Sequence, residues 1–323
     1  MIIDSHAHLV APPAINAAWT QMESAGVYNG RTRGQVPDAA LIESADRQIA
    51  LMDEVGTDVQ LTSPRPYIMK HSYKPGQLVE WWVANHNDAI AVQANARPDR
   101  IRGVAGLPQQ DGAPVSVVFD ELDRAINDLG FVGVLLNPDP GEGNGRSPLM
   151  EDEYWFPLYE KLEEMDVPAL LHCAGCTVRE NYSEHFITEE SLAITSLLRS
   201  DVFDRFPGLK IIVPHGGGSI PYQLGRWVAH EGKFKGMDPA SAREAYVGRL
   251  RKLWFDTCLY TPEALNLLIG VVGADRVLFG TERPGSGYGL EDVKPMLEGL
   301  GLEEGALQAI FEKNARTVYT RLA

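Results

Sequence analysis

The chain has 323 residues, 44% hydrophobic and 23% charged, with 44 acidic against 29 basic side chains and a formal net charge of −15. That length suits one large α/β domain, so residues 1–323 are read as a single domain, and the acidic balance argues against nucleic-acid or anionic-membrane partners. No run approaches the ~20 apolar residues that span a bilayer. Three cysteines, Cys173, Cys176 and Cys258, make no disulfide framework, and no signal-peptide pattern follows Met1, so a cytoplasmic location is expected.

The first strand is predicted over Met1–Asp4, and Ser5-His6-Ala7-His8 follows at once. Side chains at i and i+2 on a strand share a face, so His6 and His8 can grip one ion together. The turn-rich segment Leu9–Asp38 is expected to lie over the mouth of the fold. A helix over Leu41–Val55 leads to strand two, Thr57–Thr62, which ends in Ser63-Pro64-Arg65. Strand three is predicted over Ile101–Leu107. A helix over Pro114–Leu129 follows, with Val117, Leu122, Ile126 and Leu129 forming one apolar stripe.

Strand four, Phe131–Asn137, ends in Asn137-Pro138-Asp139 and opens a loop running to Asp152. Pro157–Met165 reads as a helix with proline in its first turn. Strand five, Pro168–His172, is followed by an expected loop over Cys173–Glu189 and a helix over Ser191–Phe206. Strand six, Leu209–Pro214, ends in His215-Gly216-Gly217-Gly218. Strand seven, Leu253–Thr257, carries Asp256, and strand eight, Arg276–Gly280, ends in Thr281-Glu282-Arg283.

Most of these strands are continuous apolar runs, as parallel strands buried on both faces require. Eight of them alternating with helices predict a (β/α)8 TIM barrel with loop insertions over its C-terminal mouth. An open doubly wound sheet would carry a glycine-rich turn after strand one, where histidines stand instead. In a barrel the C-terminal strand ends converge on one mouth, and four of the eight histidines fall there.

His6, His8, His172 and Glu282 then make a three-imidazole, one-carboxylate set suited to Zn²⁺, with a position left for water or substrate; Mn²⁺ is the alternative ion. Glu282 has a plainer reading as a surface partner of Arg283. His215, exposed by three glycines, suits proton transfer near neutrality; its other readings are a further metal ligand or a core histidine. Arg65 and Arg226 offer guanidinium forks for substrate carboxylates. Asn137, Tyr182 and His185 are expected to orient a polar substrate from mouth loops, and Asp256 to support a ligand or cap backbone. Cys173-Ala174-Gly175-Cys176 spells C-x-x-C without a thioredoxin-like context and is read as incidental.

His6-Ala7-His8, His172, Pro214-His215-Gly216-Gly217-Gly218 and the acidic residue after strand eight resemble the amidohydrolase superfamily, in its branch of mononuclear-metal decarboxylases and relatives. Longer strings over Ser63–Pro66, Leu136–Pro140, Tyr154–Leu162 and Ile220–Arg226 are similar to 4-oxalomesaconate hydratases and to zinc-dependent meta-cleavage-product hydrolases of aromatic catabolism, across nearly the whole chain. The strings around Tyr182–Glu190 and Thr281–Gly287 look closer to the hydrolases. Decarboxylases of the branch usually carry aspartate where Glu282 stands. The resemblance implies a C–C bond hydrolase that uses zinc-bound hydroxide on a carboxylated ring-cleavage product. Hydration of a 4-oxalomesaconate-like unsaturated keto acid is the alternative, and nonoxidative decarboxylation the third. It also implies a homo-oligomer, such as a dimer, and a small carboxylated substrate.

Overall fold

A computed structural model describes residues 1–26, 30–32, 36–284 and 290–322. Eight parallel strands run in sequence order: β1 Ile3–His8, β2 Val59–Ser63, β3 Ile101–Gly106, β4 Gly133–Leu136, β5 Ala169–Leu171, β6 Ile211–Val213, β7 Trp254–Asp256 and β8 Val277–Leu278. The end of β8 returns to β1. Ser5 N donates to Phe279 O at 2.8 Å, Glu282 N to His6 O at 2.7 Å and His8 N to Arg283 O at 2.8 Å, so the barrel closes as expected. Closure leaves no free sheet edge.

One aliphatic layer fills the lower barrel: Ile3, Leu61, Val104, Leu135, Leu170, Ile212 and Leu278, one from each of seven strands, with Trp254 of β7 packed against them. Ala315, Val318, Tyr319 and Leu322 from the C-terminal segment close the layer from below. Inward side chains recur every second residue along a strand. The next inward positions are therefore Ser63, Gly106, Asn137, His172, Pro214, Asp256 and Gly280, and the lining changes from apolar to polar within one step.

β1 needs a correction to that alternation, because Ile3 would place Ser5 and Ala7 inward rather than the histidines. Two residues of β1, Ser5 and His6, stand opposite Leu61 alone, between the pairs Asp4↔Gln60 and Ala7↔Thr62. This bulge resets the parity and turns His6 and His8 to the interior. The expected pairing of the two imidazoles holds, with ring centroids 5.0 Å apart.

Among the helices, the stretch expected over Pro114–Leu129 forms as a tight turn at Val115–Val118, a helix at Phe119–Asp123 and a wide turn at Arg124–Asp128. The expected loop over Cys173–Glu189 is corrected. A helix begins at Tyr182 and runs to Arg199, because Asn181 and Glu184 form a reciprocal capping box. A separate short helix, Val202–Arg205, follows it. The Leu9–Asp38 excursion holds a short turn at Pro13–Asn16 and a helix at Ala17–Ala25; residues 27–29 and 33–35 lie outside the described residues, as do 285–289. Among the described residues no helix is long and apolar enough to cross a membrane.

Candidate functional site

Three imidazoles meet at the mouth with their ring nitrogens sorted by hydrogen bonding. His6 Nδ1 lies 2.6 Å from Asp256 Oδ2, and His172 Nδ1 lies 2.9 Å from the Cys173 carbonyl. His8 Nδ1 lies 3.0 Å from Ser63 Oγ, whose own hydroxyl donates to the Ala7 and Pro64 carbonyls. Each Nδ1 therefore carries the proton, and each Nε2 is left as a lone pair. All three Nε2 atoms are buried and have no hydrogen-bond partner among the described residues. A buried unpaired lone pair costs roughly 1–3 kcal/mol, so three in one place call for a shared acid.

Glu282 supplies the charge. Ligand atoms of His8, His172 and Glu282 lie within 4.8 Å of one another, and so do those of His6, His172 and His215. Burial alone would raise the Glu282 carboxyl; the hydrogen bond and charge of His215 outweigh it and bring its pKa down to about 2. Burial pushes His8 and His172 well below the ordinary histidine range, and neighbouring imidazoles add to the effect. Asp256 is drawn down against its burial by His6. Neutral imidazoles beside an ionised carboxylate are the protonation states that bind a divalent cation, so the residues present fit such an ion. Asp256 occupies the supporting place expected of it.

His215 differs from the other three. Its Nδ1 lies 2.7 Å from Glu190 Oε1, and its Nε2 lies 3.7 Å from Glu282 Oε1. Burial opposes charge on His215, but Glu190 and Glu282 overcome it and raise its pKa well above the usual value. Burial lifts Glu190 to about 7 against the pull of His215. The glycines make this contact. Gly218 has φ 59°, and a Cβ there would meet Ile187 O at 2.9 Å and Ser191 Oγ at 2.6 Å. Only a bare backbone lets the loop settle on the helix Tyr182–Arg199 that carries Glu190.

Strain gathers here as well. His215, Tyr260 and Glu282 have φ of 50°, 55° and 58°, a region that side-chain-bearing residues rarely adopt. Tyr260 Oη donates to Glu282 Oε2 at 2.9 Å. Above the cluster, a cavity of about 160 Å³ is lined by His8, Arg65, Tyr67, His172, Tyr182, Phe186 and Glu282, with Pro66 and Pro284. Arg65 spends Nε on the Leu9 carbonyl at 3.3 Å, and among the described residues its terminal nitrogens are left for a ligand.

Arg65 and Tyr182 thus reach the cavity, and three expected substrate contacts do not. The Asn137 amide is consumed by His71 Nδ1 at 2.8 Å and by the Asp139 backbone. His185 sits inside a helix rather than on a loop, buried with Nε2 3.1 Å from Asp139 Oδ2. Arg226 lies exposed on the helix Leu224–Lys235, whose inward face is taken by Leu224 and Val228; two residues along a helix is over half a turn, which swings Arg226 outward. Glu190, Ser63 and Tyr260 were missed. Ser63 was legible as the residue next inward after Leu61; the other two join the site only through the fold.

Residues 3–321 match the amidohydrolase family model, and the chain belongs to that family of enzymes. It is 32% identical, over 100% of its length and 97% of the relative's, to the 2-keto-4-carboxy-3-hexenedioate hydratase of a Sphingobium species. The crystal structure of 4-oxalomesaconate hydratase from Rhodopseudomonas palustris superposes with a TM-score of 0.85 and 31% identity, covering 100% of this chain and 96% of that one. A dihydroxybenzoic acid decarboxylase from a Polaromonas species, solved with bound manganese and 2-nitroresorcinol, has a TM-score of 0.74 and 26% identity over 99% of this chain and 96% of its own.

Proposed function

We propose that this enzyme is a metal-dependent hydro-lyase that adds water across the carbon–carbon double bond of an unsaturated keto-polycarboxylate of the 2-keto-4-carboxy-3-hexenedioate class. The observation that carries the reading is the convergence of three unpartnered Nε2 atoms and the Glu282 carboxylate beside Arg65, in a chain similar over its full length to hydratases. These relatives favour hydration over the carbon–carbon hydrolysis that the sequence resemblance put first.

His6, His8, His172 and Glu282 would hold the divalent ion, zinc or manganese. When bound, it supplies Lewis-acid chemistry, polarising oxygen atoms of substrate and water. Arg65 grips a substrate carboxylate through its free terminal nitrogens, and Tyr182 walls the same cavity. Adding water to an alkene requires a proton taken from oxygen and a proton given to carbon. His215 moves that proton at Nε2, and Glu190 fixes its ring and stabilises the imidazolium. Residues 1–323 act as one barrel domain.

The test is the mass of the product. Metal-loaded enzyme given the unsaturated keto-tricarboxylate should return a single product heavier by one water, with loss of the conjugated-alkene absorbance. Two fragments would signify carbon–carbon hydrolysis, and released CO2 decarboxylation; either result overturns the hydratase reading.

A further inference from the structure

The Cys173-Ala174-Gly175-Cys176 string was read as incidental, and the fold gives its second cysteine a setting that the mouth chemistry does not use. Cys176 precedes the capped helix that begins at Tyr182, with Glu180 just before that helix and His185 in its first turn. One ligand atom each from Cys176, Glu180 and His185 lie within 4.8 Å of one another. His185 is 1% exposed, and its Nδ1 has no hydrogen-bond partner; Glu180 Oε2, at 3.8 Å, is too far to accept one.

The other ring nitrogen faces a carboxylate. His185 Nε2 faces Asp139 Oδ2 at 3.1 Å, and Asp139 is itself held by the Gly143 amide at 2.6 Å and by the Ser147 hydroxyl. The approach is not aligned for a hydrogen bond, so among the described residues both ring nitrogens of this buried imidazole are left without a partner. The thiol is seated as well: a Cβ on Gly143 would come within 2.7 Å of Cys176 Sγ, so the glycine makes room for the sulfur. The Thr177 amide bonds the Glu142 carbonyl at 3.0 Å and ties the loop down beside it.

We propose that Cys176, Glu180 and His185 form a second metal site, distinct from the mouth, for a borderline divalent cation of the zinc type. Thiolate, imidazole and carboxylate together select zinc over magnesium or calcium. Tetrahedral zinc with bonds of about 2.0–2.3 Å holds its ligands roughly 3.5 Å apart, so donors within 4.8 Å of one another need to close by at most about an ångström. Three protein ligands leave one position for water. Its effect is to fasten the segment from Cys176 to His185, which carries Tyr182 into the cavity wall. The site stands independently of which reaction the mouth performs.

Metal content decides it. Protein saturated with zinc and then desalted should retain two equivalents per chain. Cobalt-substituted protein should show a thiolate-to-cobalt charge-transfer band, which a mouth set of three imidazoles and a carboxylate cannot give. Cys176→Ser should lose that band and one equivalent. His8→Ala should lose one equivalent at the mouth and keep the band, so failure of one site is told apart from failure of the other. Retention of a single equivalent by the wild type, or two equivalents without the sulfur band, would overturn the proposal. Both readings come from the wild type and stand even if a variant fails to fold.

Discussion

Glu190→Gln is the sharpest probe of the proton-transfer machinery. The carboxylate lies 2.7 Å from His215 Nδ1, and both groups are buried. Glutamine has nearly the same shape and can still accept the Nδ1–H, so the substitution removes charge and little else. With charge centres about 4 Å apart and an effective dielectric constant of ~20, that charge is worth about 4 kcal/mol to the imidazolium. Its loss makes His215 a poorer proton carrier, and general acid–base groups contribute on the order of 10²–10⁴ in rate. The expected result is a fall in kcat of on the order of 10²–10³ with KM changed only a few-fold. The limb of the kcat/KM profile that reports His215 should move to lower pH. Stability should fall as well, by up to about 3–5 kcal/mol, since removing one charge of a buried pair leaves the other uncompensated. The measurement is a full pH profile with metal content determined in parallel. A variant whose profile superimposes on that of the wild type would refute the role given to Glu190.

Other expectations follow from single contacts. Arg65→Met removes the free guanidinium nitrogens at the cavity and should raise KM by about one to two orders of magnitude with the melting temperature little changed; steady-state kinetics would expose an unaltered KM. Asp256→Asn leaves His6 without its charged partner and should weaken metal binding by roughly 10–100-fold, read by competition with a chelator. His86 is buried with a pKa lowered to about 4, while its unfolded value is near 6.5. Above pH 6.5 it is neutral in both states. As pH falls from 6.5 to 4 the unfolded chain takes up a proton that the native state refuses, so stability drops by up to about 3 kcal/mol. His86→Gln should flatten that dependence, and denaturant melts between pH 7 and pH 4.5 with identical slopes in variant and wild type would count against it.

Each observed strand overlaps its predicted run. But β1 covers Ile3–His8 rather than Met1–Asp4 and carries Asp4, Ser5, His6 and His8, so the rule that a parallel strand buried on both faces is apolar did not find its full extent. His6, His8, His172 and Glu282, which crowd the mouth, were legible because they stand at or just beyond the C-terminal ends of the predicted strands. What escaped depends on geometry that a local pattern does not encode. The bulge at Ser5 and His6 is invisible to strict alternation, and the Glu190–His215 contact joins two elements 25 residues apart through a glycine loop laid on a helix. Two misplacements were avoidable. Asn181-x-x-Glu184 is a capping signature that moves His185 from loop to helix, and the Leu224/Val228 pair already directs Arg226 to solvent. Arg65 needed only its strand end.

A crystal structure of the zinc- or manganese-loaded protein tests the central claim most directly. Density for one ion should lie in contact with Nε2 of His6, His8 and His172 and a carboxylate oxygen of Glu282, with His215 nearby but still bonded to Glu190. An ion seated away from these four residues, or Glu282 turned out of the mouth, would contradict it.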